Sequence, residues 1–302
     1  MTAVAQQTTP AGEVPANLRR SSISARRRVT DQVVKVAIWL SVVLAVVPLA
    51  LVMYYVIAKG AKMISWEFLT ADIPRQLARP TGGIGPAVVG TLIMTGLASL
   101  LAIPVGVLGA IYLNEYGKQN ALARTIRLMA DVMTGVPSVV MGLFIYTAVV
   151  LSTEQSGLAG ALALACLMLP VVIRSSEEML RLVPDELRQA SLALGARKWR
   201  TILTVVLPAA ISGIASGSLL AIARAAGETA PIVLVVGLTQ RTNWSLSGSN
   251  TALPVQIYRN ATEPFAAATD RAWGAALTLV VIVLLTTLIG RLIANRFAIK
   301  ER

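Results

Sequence analysis

The sequence contains no histidine and only one cysteine, Cys166, which lies inside an apolar run. One thiol cannot form a disulfide within the chain, and the lack of imidazole excludes Ser-His and Cys-His catalytic pairs. A metal site built from His or Cys ligands is disfavoured for the same reason. The chain also lacks the G-x-x-x-x-G-K-S/T loop that binds nucleotide phosphates. We therefore expect a non-catalytic protein without a metal or cofactor, in which any ATP hydrolysis belongs to a partner.

Charged residues are scarce as well. They make up 14% of the chain, against 55% hydrophobic residues, and the mean hydropathy is +0.69. Six apolar runs are long enough to cross a hydrocarbon core of about 30 Å as helices. They lie at about 33–57, 86–113, 126–151, 157–173, 205–238 and 273–294. The composition and these runs predict an all-α, polytopic membrane protein with six transmembrane helices.

The basic residues are distributed unevenly between the expected loops. Nineteen of the 27 Lys and Arg residues lie on the side that carries both termini and the loops at 114–127 and 174–200. The loops on the opposite side carry seven. Because the side richer in Lys and Arg faces the cytoplasm, both termini are predicted to be cytoplasmic. The net charge of +12 therefore reflects membrane topology, and we expect contact with lipid but no nucleic-acid partner.

Three segments follow from this topology. Residues 1–32 form a cytoplasmic N-terminal tail, which we expect to be disordered because its first part is polar and has no hydrophobic periodicity. Residues 33–296 form the transmembrane domain, which includes a cytoplasmic loop at 174–208, and residues 297–302 form a C-terminal tail. The first apolar run follows a long polar segment and exceeds a signal-peptide core in length, so we expect it to remain as a span.

The cytoplasmic loop has a helical pattern of its own. Pro184 is expected in the first turn of a helix, because its ring is tolerated there and the acidic residues after it suit the positive helix end. Helical spacing predicts one narrow face of small and apolar side chains, formed by Leu187, Ala190, Ser191 and Leu194. Gly195 follows at the position where a residue in the left-handed conformation commonly ends a helix.

The same loop resembles the signature of ATP-binding-cassette importer permeases. That signature is E-A-A, three residues, G, nine residues and I-x-L-P. Here Gln189-Ala190-Ser191 precedes Gly195 at this spacing, and the stretch ends at Pro208; Gln and Ser replace the usual Glu and Ala. The resemblance implies a coupling helix that docks in a cleft of the ATPase subunit. It assigns this contact to Leu187, Gln189, Ala190, Ser191, Leu194 and Gly195.

Segments within the spans resemble one branch of this family, the phosphate-importer permeases of the A type. They are GGIGPAVVGTL at 82–92, AIPVGVLGAIYLNEY at 102–116, GVPSVVMGLF at 135–144, LPVVIRSSEEMLRLVP at 169–184, ARAAGETAPI at 223–232 and ALPVQIY at 252–258. The resemblance implies the type I importer permease fold, a place in the bacterial plasma membrane, and ATP-driven import of inorganic phosphate. It also implies partners, namely a C-type permease in a heterodimer, two ATPase subunits and an external phosphate-binding protein.

A few polar residues within the spans are candidates for handling an anion. Ionisable groups at membrane depth are costly and are therefore functional candidates, and Asp131, Arg224 and Glu228 qualify. Arg224 and Glu228 are four residues apart on one expected helix, so they can pair, and a guanidinium fork also matches two oxygens of phosphate. Ser138 and Thr229 can donate hydroxyl hydrogen bonds. We place Arg224, Glu228, Thr229 and Ser138 on the substrate pathway.

Alternatives remain open for these residues and for the function. Arg224 and Glu228 could form a purely structural ion pair. Ser138 could bond its own backbone beside a helix kink at Pro137, and Asp131 could have only an interfacial or helix-start role near the start of the third span. The functional alternatives are import of another oxyanion, such as sulfate or molybdate, and secondary transport without ATP. The spacing of the coupling loop argues against the second of these.

Overall fold

The computed structural model describes residues 25–117 and 120–297, and within these ranges it contains helices and no strand. Residues 1–24 and 298–302, which hold most of the expected tails, lie outside the described residues. The chain divides into two units, Met1–Tyr54 and Tyr55–Arg302. The helices are α1 (Ala25–Gly60), α2 (Trp66–Thr70), α3 (Gly85–Ile111), α4 (Ala121–Gly135), α5 (Ser138–Ile145), α6 (Gly157–Arg181), α7 (Asp185–Ala193), α8 (Lys198–Thr201), α9 (Leu207–Ala226), α10 (Ala230–Val235), α11 (Leu253–Thr262) and α12 (Ala266–Phe297).

Five helical segments of the described chain are long and apolar enough to cross a membrane. They are Val29–Gly60, Gly85–Tyr116, Gly157–Arg181, Lys198–Ala226 and Ala266–Ala294. A sixth crossing is available from α4 and α5, which pass the same test together as a bent pair. The predicted all-α, polytopic fold is therefore confirmed, with five continuous spans and one broken segment in the third position.

Helix α1 begins at Ala25, inside the segment that was expected to be a disordered tail. Its first turns are supported by an ion pair between Asp31 and Lys35, whose Oδ2 and Nζ atoms are 2.7 Å apart at the favourable i,i+4 spacing. The helix continues through Pro48 and is apolar around its circumference, as is typical of a membrane span.

Helices α3 and α6 pack along each other at the centre of the second unit, and α9 packs on α6. Small residues permit this close approach. A Cβ atom at Gly106 of α3 would lie 2.7 Å from Val172 of α6, and one at Gly217 of α9 would collide with Ser175. The main core lies between these helices and also takes in α5, α10 and α11.

The third span is interrupted at Pro137, as the sequence predicted, and consists of two helices whose axes differ by 107°. Val136 and Pro137 between them are extended, with ψ angles of 130° and 135°. Proline disfavours a helical conformation in the residue before it and cannot donate a backbone hydrogen bond. The break is therefore much sharper than the kink considered as an alternative.

The fifth predicted apolar run, at 205–238, is divided as well, although the span Lys198–Ala226 is itself continuous. The helical segment starts at Lys198, passes through a π-helical turn at Ile202–Val206 and ends at Ala226, before α10 starts at Ala230. The prediction that Arg224 and Glu228 share one helix is therefore wrong. Pro231 provides the reason, because a helix continued through it would lose the hydrogen bond to the Gly227 carbonyl.

The fourth span extends beyond its predicted end at residue 173. Helix α6 continues to Arg181, and the side chains of Ser176, Glu177 and Leu180 in the added turns are buried. These turns carry the chain from the apolar core to the coupling loop. The hydrophobic periodicity of the sequence did not predict that a hydroxyl and a carboxylate beyond the apolar run would be buried.

Candidate functional site

The predicted coupling helix is present as α7, and none of its residues is buried. Asp185 and Glu186 occupy its first turn, as predicted, where their charges suit the helix dipole. Pro184 was predicted in the first turn, but it is the N-cap residue, with φ −59° and ψ 139°. The extended ψ angle places the ring just outside the helix, which therefore starts one residue later.

The end of α7 is a glycine turn at the predicted residue. Gly195 has a φ angle of +81°. Its N–H donates to the Leu192 carbonyl at 2.9 Å, and the Ala196 N–H donates to the Ser191 carbonyl at 3.2 Å. These two bonds form a Schellman motif, which satisfies the last free carbonyls of the helix and requires the left-handed conformation that glycine adopts without strain.

The small and apolar residues of α7, together with its C-cap residue Leu194, form an exposed surface. Leu187 is 45% exposed, Leu192 is 47% exposed and Leu194 is 90% exposed. Ser191 differs, because its Oγ lies 2.9 Å from Thr201 Oγ1 on α8 and so ties the two short helices together. An exposed apolar surface of this kind is typical of a protein interaction site. The geometry leaves the remaining residues that were predicted to contact an ATPase accessible to another protein.

Glu115 attaches the coupling helix to the end of α3, and sequence reasoning did not identify it. It lies in the π-helical turn Tyr112–Tyr116, with a side chain that is 5% exposed. Its Oε1 accepts hydrogen bonds at 3.1 Å from both Nε and Nη2 of Arg188 on α7. Lys198 Nζ donates to the Glu115 carbonyl and lies 4.7 Å from the Tyr116 ring centroid. Both short helices of the loop are thus anchored on one residue.

A second buried carboxylate, Glu177, binds three arginines at the same end of the molecule. The side chain is 2% exposed, and its oxygens lie 2.7 Å from Arg127 Nε, 2.6 Å from Arg181 Nη2 and 3.4 Å from Arg174 Nη1. Arg174 also pairs with Asp131. Asp131 is therefore not a helix-start residue, since α4 begins at Ala121. The cluster joins α4 to α6 by charge.

The substrate-pathway candidates lie at the two helix breaks. Arg224 is in the last turn of α9, with a side chain 69% exposed, and its Nε is 3.6 Å from Oε1 of Glu228, which is 18% exposed. This distance defines an ion pair but exceeds a hydrogen bond, so the guanidinium donors remain available. Thr229 directly precedes α10, and Ser138 is the first residue of α5.

The structure brings these candidates together only in part. It pairs Arg224 with Glu228, and it packs α5 against α10, where a Cβ atom at Gly142 would lie 2.6 Å from Pro231 Cα. Within residues 25–117 and 120–297, however, no hydrogen bond joins Ser138 or Thr229 to the Arg224 guanidinium. The hydroxyl residues therefore share the region of the breaks without forming a closed site with the arginine.

Residues 102–299 match the model of the family described as binding-protein-dependent transport system inner membrane component. This chain belongs to that family. Its curated relatives include phosphate transport system permease protein PstA 1 of Mycobacterium tuberculosis (strain CDC 1551 / Oshkosh), which is 43% identical over 288 residues, 93% of each chain. PstA of Yersinia pestis is 40% identical over 243 residues, which is 80% of this chain and 82% of the relative.

Solved transporters share the fold of this inner membrane component. A bacterial alginate ABC transporter gives a TM-score of 0.62 at 15% identity, over 88% of this chain and 95% of that chain. The MetNI methionine ABC transporter gives 0.56 at 20% identity, over 72% and 95%. The fold is therefore that of ABC transporter permeases. With its apolar helices and its family, the chain is a multi-pass permease component of the inner membrane.

Two of the groups that organise this permease had only weak signals in the sequence. Glu115 and Glu177 are acidic residues on the side where Lys and Arg are abundant, and each follows an apolar run. That contrast of charge was the available signal. Arg188, which pairs with Glu115, is 73 residues away in sequence, and Arg127 is 50 residues from Glu177, so the partners could not be assigned from local spacing.

Proposed function

We propose that this chain is a permease subunit of an ATP-driven importer of inorganic phosphate and forms half of its translocation pathway. The assignment of phosphate as the substrate rests on the shared description of its curated relatives as phosphate transport permeases, one of which is 43% identical over 93% of the chain. The family of inner membrane components and the ABC permease fold support the transport role.

The coupling to ATP is proposed to run through α7. Its exposed face, with the contacts assigned to Leu187, Gln189, Ala190, Ser191, Leu194 and Gly195, would dock in the cleft of a cytoplasmic ATPase subunit. The ion pair between the buried Glu115 and the half-buried Arg188 links α7 to the end of α3, and a motion of the docked helix would therefore reach a long membrane helix through a charged contact. ATP hydrolysis belongs to the ATPase, and this chain contributes no catalytic residue.

The substrate contact is proposed at the break after α9. A guanidinium that is 69% exposed and held by Glu228 at 3.6 Å can exchange its carboxylate partner for a phosphate oxygen. Thr229 and Ser138 would add hydroxyl donors from the adjacent breaks. In this proposal Glu228 orients the arginine when no anion is present, and the ion pair opens when phosphate arrives.

The proposed assembly contains a C-type phosphate permease as the second half of the pathway, two ATPase subunits and an external phosphate-binding protein. Both termini and the coupling loop are placed in the cytoplasm, because nineteen of 27 Lys and Arg residues lie on that side. This orientation brings α7 to the compartment that holds ATP.

Substitution of the arginine tests the proposed pathway. Arg224→Gln removes the charge and is expected to abolish phosphate uptake, while Arg224→Lys keeps the charge but loses the two-point geometry and should retain little uptake. Glu228→Gln should be milder, because an amide oxygen can still orient the guanidinium. Arg291→Gln, at an exposed position of α12, is the matched control. Uptake by proteoliposomes and the amount of assembled complex are measured for each variant.

The two measurements separate a transport role from a structural one. A structural ion pair predicts that uptake falls only in proportion to the amount of complex, since an unpaired charge weakens assembly. Loss of uptake with normal assembly supports the pathway. Normal uptake by fully assembled Arg224→Gln would exclude the arginine from it. Uptake of sulfate or molybdate in place of phosphate would favour the alternative oxyanions.

A further inference from the structure

A basic pocket lies in the loops near the N-terminal end of α3, whereas Glu115 anchors the coupling helix beyond the C-terminal end of α3. The two ends are separated by the length of α3, about 40 Å at 1.5 Å per residue. The pocket has a volume of about 730 Å³ and lies between the loops around Pro74 and Gln240. Its charged lining residues are Asp72, Arg75, Arg241 and Arg259. Nothing in the proposed pathway around Arg224 uses this pocket.

The walls of the pocket are held by specific bonds between segments that are distant in sequence. The Ile73 N–H donates to the Gln240 carbonyl at 2.9 Å, and the Thr242 N–H donates to Asp72 Oδ1 at 3.3 Å. Gly82 has a φ angle of +96°, and a Cβ atom there would lie 2.7 Å from Pro74, so the loop closes tightly. The pocket is therefore a built cavity and not a gap between loose loops.

The guanidinium groups of the pocket have no charged partner of their own. Among residues 25–117 and 120–297, none of Arg75, Arg241 and Arg259 takes part in an ion pair, although Asp72 lies in the same wall. The three arginines and one aspartate give the lining a formal charge of +2. Arg75 and Arg241 are exposed and Arg259 is half-buried, so the basic groups extend from the rim into the cavity.

A fourth arginine lies behind the wall. Arg271 is fully buried, and its guanidinium donates to the Arg79 carbonyl at 2.6 Å and to the carbonyl of Leu77, which itself lines the pocket. In the described part of the chain it forms no ion pair either. A buried cation neutralised by no carboxylate raises the positive potential of the adjacent cavity, because the surrounding protein screens it less than water does.

We propose that this pocket is a binding site for a phosphate-class oxyanion, separate from the Arg224–Glu228 pair. Guanidinium forks match the oxygens of phosphate, and the concave shape and volume are those of a small-ligand cleft. The same chemistry is offered by free inorganic phosphate and by the phosphate of a lipid headgroup. The idea that the pocket receives phosphate for transport rests on the proposed function. The idea that the pocket binds an oxyanion does not depend on it.

The test uses the complex purified in detergent through a tag on this chain. Binding of radiolabelled inorganic phosphate is measured by equilibrium dialysis for the parent and for the double variant Arg75→Gln/Arg241→Gln, whose sites are exposed and so tolerate the change. We expect binding about tenfold weaker or more in the double variant, since two charge-assisted contacts are lost. Arg79→Gln, a nearby exposed arginine outside the lining, is expected to bind as the parent does.

A second arm distinguishes the two sources of phosphate. Native mass spectrometry counts the phospholipids retained by the parent and by the double variant. A lipid that is lost only in the double variant and is not displaced by phosphate assigns the pocket to a headgroup and supports the oxyanion site. Absence of both ligands in the parent overturns the proposal, as does equal weakening by Arg79→Gln. An acidic protein segment that occupies the pocket without either ligand overturns it too.

The outcome for the pocket is separable from the outcome for the proposed function. ATP-dependent phosphate uptake is measured in proteoliposomes made from the same preparations. Uptake by the parent without any phosphate or lipid in the pocket rejects this site and leaves the proposed function standing. Binding that depends on the pocket arginines, without phosphate uptake, supports the site and rejects the proposed function.

Discussion

The glycine that ends the coupling helix offers a sharp test of how this permease is coupled. Gly195 has a φ angle of +81°, and a Cβ atom added there would meet no atom within 4 Å. The first atom of an added side chain therefore collides with no neighbouring group. Any effect must come from the left-handed backbone, which the two Schellman hydrogen bonds at Gly195 and Ala196 require.

The expected magnitude follows from the backbone alone. An L-residue in the left-handed conformation costs about 1–2 kcal/mol, and a β-branched residue is at the upper end of that cost. Asparagine tolerates this conformation better than other residues with a side chain. We therefore expect Gly195→Val to depopulate the native turn by about 5- to 30-fold and Gly195→Asn to have a much smaller effect.

The assay is the affinity of the purified permease for its ATPase, together with ATP-dependent uptake. Because the turn sets the direction of α7, ATPase binding by Gly195→Val should weaken by the same factor, with normal membrane insertion. Gly135→Val is the matched control, since that glycine also has open space around it but no positive φ. Equal ATPase affinity for the Val and Asn variants at Gly195 would show that the turn does not position the coupling helix.

The other predictions concern the buried carboxylates and the topology. Glu115→Ala leaves Arg188 with the exposed Asp185 as its remaining charged partner and should destabilise the coupling end by up to about 3 kcal/mol, seen as a lower thermal midpoint and weaker ATPase coupling. Glu177→Gln removes the negative charge among three guanidinium groups and should destabilise the folded protein by a similar free energy, seen as a lower yield of folded protein. In a Cys166→Ala background, Ser152→Cys should react with an impermeant thiol reagent from outside, and Arg197→Cys should react only after permeabilisation.

Each of these predictions has a matched control or a contradicting result. Glu186→Ala removes an exposed acid from α7, the helix that carries Arg188, and Glu178→Gln alters the exposed neighbour of Glu177. If either control destabilises the protein as much as the matching variant at Glu115 or Glu177, the effect is one of net charge and does not come from the specific ion pairs. Labelling of Arg197→Cys in intact cells would reverse the proposed orientation.

The features that sequence reasoning obtained correctly are local in the chain. The end of α7 was predicted because a Schellman turn involves only residues 191–196 and has glycine at a fixed place. The spans were predicted because each is a continuous apolar run. Pro137 was identified as an interruption for the same reason, since its effect on the backbone depends on one residue and its neighbour.

The features that it missed depend on packing between distant segments. The 107° angle at Pro137 is accompanied by the packing of α5 on α10, where Gly142 meets Pro231, and no local rule fixes that angle. The helix break before Pro231 was missed because the i,i+4 spacing of Arg224 and Glu228 is compatible with a continuous helix. The pairs made by Glu115 and Glu177 join α3, α4, α6 and α7 across long stretches of sequence.

The central claim is that this permease imports phosphate with energy from ATP. The most direct test is the uptake of radiolabelled phosphate into proteoliposomes that contain the complex purified through this chain, with the external binding protein added outside and ATP either enclosed or omitted. We expect phosphate to accumulate only with enclosed ATP, without competition by excess sulfate or molybdate. Phosphate uptake at the same rate without ATP, or preferential uptake of sulfate or molybdate, would contradict it.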